Sequence, residues 1–372
     1  MLEFIPDYEN VPLWIKDAYT IVYLIASFLY LKRISQFSQY GISQKQGWYF
    51  VAFFVIFAIF YCVNSDYFNY RFWALNYVYF AETFAKEMVY MLIARIANGN
   101  YEIFRFIVWG GAIILTSIAM KLMKVNLYIG VAFWFVCYYD KICYARASLG
   151  MAVFVLGLAL LCSYGYMSHQ KKIGLVIASL AVLFHRSLIV VIALIPILLF
   201  KLSRDKLFVY LALIVVFVRV ILGSIINIED FMSDDYAATI AGYTNEIESE
   251  EYATSFSNYI KLFWRYSLFY VPFVIATNTV FQNRYVNLIP VQIMYMYKAS
   301  AGIMLVATSF CIVYGLGNPF FYRILYVSAA PLSIVFIGLY QNGYISSKVL
   351  RLVVYNSILS HIVYTIVARL TH

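Results

Sequence analysis

Four short clusters hold the residue types in this sequence best suited to chemistry: Asp66 with Tyr67 and Tyr70, Arg146 in Tyr144-Ala-Arg-Ala-Ser-Leu-Gly, His185-Arg186-Ser187, and Tyr322-Arg323-Ile-Leu-Tyr326. A carboxylate at the mouth of a helical bundle acts as a general base or orients a hydroxyl. Asp66, with Asn64 and Ser65, equally suits a helix N-cap. Arginine carries a planar fork that matches phosphate oxygens and stays charged at any working pH. It is also a common interfacial anchor, with its stem in lipid and its head in water. A histidine beside an arginine in a tight turn offers an acid, a base or a phosphate donor, or simply one interfacial hydrogen bond. Arg323 and Tyr326 lie three apart and so share a helix face, as a binding pair or as an aromatic–basic anchor.

What must position these clusters is set by composition. Of 372 residues, 64% are apolar and 12% charged, against about 45–50% and 25% in an ordinary soluble domain. A soluble core stops growing near about 250–300 residues. A bilayer absorbs the surplus, at about 20 apolar residues per spanning helix. The chain therefore reads as a single integral-membrane domain, all-α and polytopic, with about 12 spans near 17–31, 48–63, 103–122, 125–139, 147–166, 173–185, 187–200, 207–226, 259–281, 295–314, 324–340 and 349–368. Long unbroken apolar runs exclude an outer-membrane barrel, and no length remains for a separate soluble enzyme domain. The acidic start (Glu3, Asp7, Glu9, Asp17) lacks the basic region of a cleavable signal peptide.

Orientation follows from Lys and Arg in the short loops. Alternate loops carry 13 basic residues, from Lys32 and Arg33 to Lys348 and Arg351, against one acid, Asp205. Placing these loops in the cytoplasm puts both termini and all four clusters outside. It also leaves 17 of the 18 acids outside. Two outer segments stand apart. Residues 64–102 hold Tyr70, Trp73 and Tyr77, then Met88, Met91, Leu92 and Ile96, at helical spacing. Each run is too short to span, so amphipathic helices in the outer interface are expected. Residues 227–258 carry eight acids and no base, a solvated loop whose spacing does not fit an EF-hand.

Several chemistries are missing. No P-loop, Rossmann GxGxxG, HExxH or Gly-x-Ser-x-Gly elbow occurs. Five dispersed cysteines read as packing residues, neither a disulfide frame nor a zinc site. The net charge of +9 is loop charge, not a nucleic-acid surface. An acyltransferase would show a histidine buried in a span. His361 is the candidate, and Ser357 and Ser360 are the polar groups near it in sequence.

In order and spacing the four clusters resemble the EpsG family of bacterial exopolysaccharide polymerases, within the Wzy-like group that includes O-antigen polymerases. The similarity rests on Asp66-Tyr-Phe-Asn-Tyr70 after the second span and on Arg146 leading a small-residue helix to Ala152. Phe184-His-Arg-Ser187 and the late Arg323-Ile-Leu-Tyr326 complete it. Phe60 and Asn64 replace the arginine and glycine usual before the aspartate, and Ala147 replaces a frequent glutamine. The resemblance implies a glycosyltransferase of the GT-C type, joining polyprenyl-diphosphate-linked oligosaccharides at the outer face of the plasma membrane, exopolysaccharide, capsule or O-antigen being the product class. It implies Arg146, Arg186 and Arg323 on the diphosphate, Asp66 or His185 at the acceptor hydroxyl, and Tyr70, Trp73, Tyr77 and Tyr326 at sugars. With no DxD pair in the outer loops, no metal and no cofactor are expected; other polysaccharide-assembly proteins are expected partners. A flippase for the same lipid, or a lipid-to-acceptor ligase, shares these residue types.

Overall fold

A computed structural model describes residues 13–34, 44–60, 71, 88–142, 145–163, 169–184, 188–192, 195, 203–217, 256–282, 288–314 and 324–370. Asp66, Tyr70, Trp73, Tyr77, His185, Arg186 and Arg323 fall outside these residues, as does the acidic loop expected over 227–258 except its last three residues, which open a helix. Among the described residues the chain is helical, with no strand. We label the helices α1 (Leu13–Ile34), α2 (Gln44–Phe60), α3 (Met88–Ala97), α4 (Tyr101–Leu122), α5 (Leu127–Ile142), α6 (Ala145–Ser163) and α7 (His169–Leu180). Then follow α8 (Leu188–Ile192), α9 (Arg204–Val216), α10 (Phe256–Val280), α11 (Val291–Tyr314), α12 (Ile324–Gln341) and α13 (Ser347–Leu370).

Three of these helices, α4, α11 and α12, are long and apolar enough to cross a membrane, as a helical membrane protein requires. The outward faces agree. Ile21, Ile25, Phe28 and Leu29 on α1, and Phe208, Val209, Leu213 and Val216 on α9, are exposed, where water would call for polar residues. By contrast α12 is buried on every side from Ala329 to Tyr340. A helix apolar all round belongs inside a bundle, and Phe336 of α12 stacks on Phe133 of α5 at 5.3 Å between ring centroids.

Short capped turns separate successive helices. Asn100 opens α4, its side chain accepting from Ile103 N–H at 2.9 Å. Asn126 opens α5, accepting from the N–H groups of Tyr128 and Ile129. Both are N-caps that satisfy donors lacking an intrahelical partner. Gly343 closes α12 at φ 77°, where Tyr344 N–H reaches back to Leu339 O and Gly343 N–H to Tyr340 O. A side chain at that φ is strained, so glycine ends this helix.

Close approach elsewhere relies on small residues. A Cβ on Gly157 of α6 would stand 2.5 Å from Ala178 N and 2.7 Å from Gly174 O on α7. α10 has a different need. Pro272 lies inside it and has no N–H to offer the carbonyl four residues back. That carbonyl, Leu268 O, accepts from the Tyr138 hydroxyl of α5 at 3.0 Å. The proline therefore creates the acceptor that ties α10 to the middle of the bundle.

On α3 the buried residues are Tyr90, Ile93, Ala94 and Ala97, while Leu92 and Ile96 are exposed. The helix has apolar residues on both sides, one against the bundle and one outward.

Candidate functional site

The described part of the site lies where the first turns of α6 and α12 meet the middle of α4 and α5. Arg146 is the second residue of α6, and Ser148 follows in its first turn. α12 begins at Ile324, immediately after Arg323, so Tyr326 lies in its first turn. Ser148 and Tyr326 line one narrow cavity of about 30 Å³, together with Trp134, Thr116, Met151, Ala152 and small residues of α4 and α12. That volume holds one or two water molecules. The fold thus brings the helix start carrying Arg146 and the helix start following Arg323 to the walls of the same cavity.

A second contact involves the residues that flank His185–Ser187. Gly150 of α6 sits so close to the residues on either side of His185–Ser187 that a Cβ there would meet Phe184 Cβ at 2.8 Å and Leu188 Cδ1 at 2.9 Å. Only glycine lets the flanks of that turn rest on α6 one turn beyond Arg146. A third contact involves α2. Gly110 and Gly111 of α4 stand between α2 and α6, with Val55 Cγ1 3.3 Å from a Cβ at Gly110 and Leu149 Cδ1 3.2 Å from one at Gly111. α2 is the helix that leads into the Asp66 segment.

Sequence reasoning passed over the residue that holds α2 there. Arg105 is 3% exposed and donates from Nη2 to Ala58 O at 2.8 Å. Ala58 lies near the last described residue of α2. The guanidinium also lies over Trp109 at 4.7 Å and Tyr101 at 5.8 Å. Such cation–π contacts are worth about 0.5–2 kcal/mol each and help offset the several kcal/mol that burying an ion costs. A π-helical stretch, Phe106–Gly110, follows at once. Its wider turn is frequent at functional sites. The signal for Arg105 was available: a lone cation within an apolar run, preceding an aromatic at i+4.

Tyr326 is 3% exposed, with its ring stacked on Phe269 of α10 at 5.7 Å. Trp134 is 4% exposed and packs edge-on against Phe54 of α2 at 5.5 Å. Its indole N–H has no hydrogen-bond partner among the described residues. A buried donor without an acceptor costs about 1–3 kcal/mol, and Trp134 is one of the residues lining the cavity.

No family model matches this chain, no curated protein matches it, and no solved structure matches it. The site therefore has to be read from its own chemistry. Its described walls supply one indole donor, three hydroxyls (Thr116, Ser148, Tyr326) and alanine surface. The residues of formal charge stand at the helix starts.

His361 departs from the sequence expectation. Ser357 and Ser360, its neighbours along α13, bond elsewhere, to Val353 O and Trp264 O. Its polar partner is the Tyr139 hydroxyl of α5, 2.5 Å from Nε2. Tyr23 of α1 packs on the imidazole at 4.5 Å between centroids and donates to Val136 O at 2.8 Å. The histidine joins three helices. Its partner lies 222 residues away, beyond the reach of local spacing.

Proposed function

We propose that this chain is a polysaccharide polymerase, a metal-independent glycosyltransferase of the GT-C type with about 12 membrane spans, sited in a bacterial plasma membrane with its active site outside. The observation that carries the reading is the meeting at the start of α6. Ser148 beside Arg146 shares a cavity with Tyr326, and Gly150 touches the residues flanking His185 and Arg186. The order of the four clusters, similar to the EpsG family, supports it further.

The reaction would transfer a growing glycan from its polyprenyl diphosphate to a hydroxyl of an incoming lipid-linked repeat unit. The anomeric C–O bond to the diphosphate breaks and a C–O bond to the acceptor forms. The hydroxyl proton passes to Asp66 or His185, and polyprenyl diphosphate leaves. Negative charge grows on the leaving group, so fixed arginine forks at Arg146, Arg186 and Arg323 lower the barrier most. Tyr70, Trp73 and Tyr77 offer aromatic faces to sugars. A flippase would need a matching set of groups at the cytoplasmic loops, where the sequence has none.

The test is reconstitution in vesicles with a polyprenyl-diphosphate-linked repeat unit added from outside. Wild type should give a polymer ladder unaffected by a chelator. Arg146→Ala and Arg323→Ala should each lose about 100-fold or more in rate, with Lys restoring part of the charge but not the fork. Full-length polymer from both alanine variants would contradict the reading.

A further inference from the structure

We propose that the cavity between α4, α5, α6 and α12 is a subsite for an acetyl group carried on the sugar of the substrate. This rests on the lipid-linked saccharide substrate proposed above and deepens it from a generic sugar to an acetylated one.

Three features of the cavity select the group. First, one of its lining residues carries a donor in need of an acceptor. The Trp134 indole N–H can donate but never accept, is nine-tenths buried, and has no partner among the described residues. A ligand group seated here must therefore bring an acceptor oxygen. Second, the group must be neutral, because no charged side chain is among those lining the cavity. A carboxylate or phosphate would be buried without a counter-ion, which is far more costly than burying a neutral carbonyl. Third, much of the wall is methyl surface, with Ala152 from α6 and Ala329 from α12. A bare hydroxyl would satisfy the indole and leave that surface facing nothing.

An acetyl group meets all three requirements. Its carbonyl oxygen accepts from Trp134, and its methyl fills the alanine side. Size agrees: the cavity of about 30 Å³ holds one or two water molecules, and a carbonyl oxygen plus a methyl occupy two such positions. Placement agrees too. Ser148 and Tyr326 on the same wall lie in the first turns of the helices that start at Arg146 and after Arg323. A diphosphate held at those two helix starts would bring the ring substituents of its sugar toward the cavity.

Amide-linked and ester-linked acetyl groups share this chemistry, and the test separates them. Binding to the purified full chain in nanodiscs is measured for three polyprenyl diphosphates, bearing N-acetylglucosamine, O-acetylglucose or glucose. At least one acetylated lipid should bind about tenfold or more tighter than the glucosyl lipid, and which one does so identifies the linkage. Trp134→Phe, which removes the donor, and Ala152→Val, which fills the space, should each erase the preference. Retained binding of the glucosyl lipid shows that each variant is folded. Equal binding of all three lipids to wild type would mean that the cavity holds only ordered water, and would overturn the subsite while leaving the diphosphate reading in place. A preference that survives both variants would also overturn it. Failure of every lipid to bind would overturn the polymerase reading and the subsite together.

Discussion

The two sides of α5 bury polar groups in opposite ways. Toward α1 and α13, Tyr139 and His361 satisfy each other at 2.5 Å, Tyr23 reaches Val136 O, and aromatic rings fill the space between, with Tyr23 4.6 Å from Tyr139. Toward α4, α6 and α12, Trp134 lines a cavity among small residues, and its N–H has no acceptor among the described residues. The first side is a closed seam, where every group named has its partner in the protein and the gain is rigidity. The second is short of both volume and an acceptor. Ser27 of α1, buried one turn along from Tyr23, is an exception on that first side, its hydroxyl having no hydrogen-bond partner among the described residues, so the two sides differ in degree.

Stability measurements can break or sharpen that contrast. The largest effect belongs where packing leaves nothing to spare. Gly157→Ala adds one methyl 2.5 Å from Ala178 N and 2.7 Å from Gly174 O, both backbone atoms that cannot swing aside. It should lower unfolding stability in detergent by about 3 kcal/mol. Little change would mean that α6 and α7 separate easily, and the packing of the site end would need revision. A smaller loss is expected in the seam. Tyr139→Phe deletes the hydroxyl bonded to His361 and should cost about 1–2 kcal/mol, since it strands a partly buried imidazole nitrogen. The smallest effect belongs to the cavity. Trp134→Phe removes a donor that has no acceptor and should shift stability by less than about 1 kcal/mol, in either direction. If Trp134→Phe costs more than Tyr139→Phe, the distinction between the closed and open sides fails.

Much of the helical frame was legible in sequence, because each apolar run of about 15–20 residues has one stable option in a bilayer. The expected spans at 103–122, 295–314 and 324–340 lie on α4, α11 and α12, which the structure gives as long and apolar enough to cross. Local chemistry was legible as well: Asn100 and Asn126 are caps by type and position. Pro272 shows where reading could have gone further, since a missing N–H predicts an orphan carbonyl at Leu268, though not that Tyr138 would serve it. Three-dimensional partnership was out of reach. His361 was set aside because its neighbours in sequence are serines, and its partner sits on another helix. Nothing in the spacing around Arg105 points to its contact with Ala58 O, which spans 47 positions. The cavity has no sequence signal at all, because it is made by what four separate helices lack. For the clusters, sequence supplied the types and order, while the contacts of Ser148, Gly150 and Tyr326 supplied the reason to group them.

The central claim is that Arg146 and Arg323 serve one diphosphate at one site, and a double-variant cycle on polymerisation rate tests it most directly. Groups that act as a unit on one leaving group are strongly non-additive, so that losing the second after the first costs little more. Arg146→Ala combined with Arg323→Ala should therefore be about as slow as the slower single variant. A double variant whose loss equals the product of the two single losses would show the arginines acting independently, and would contradict the account.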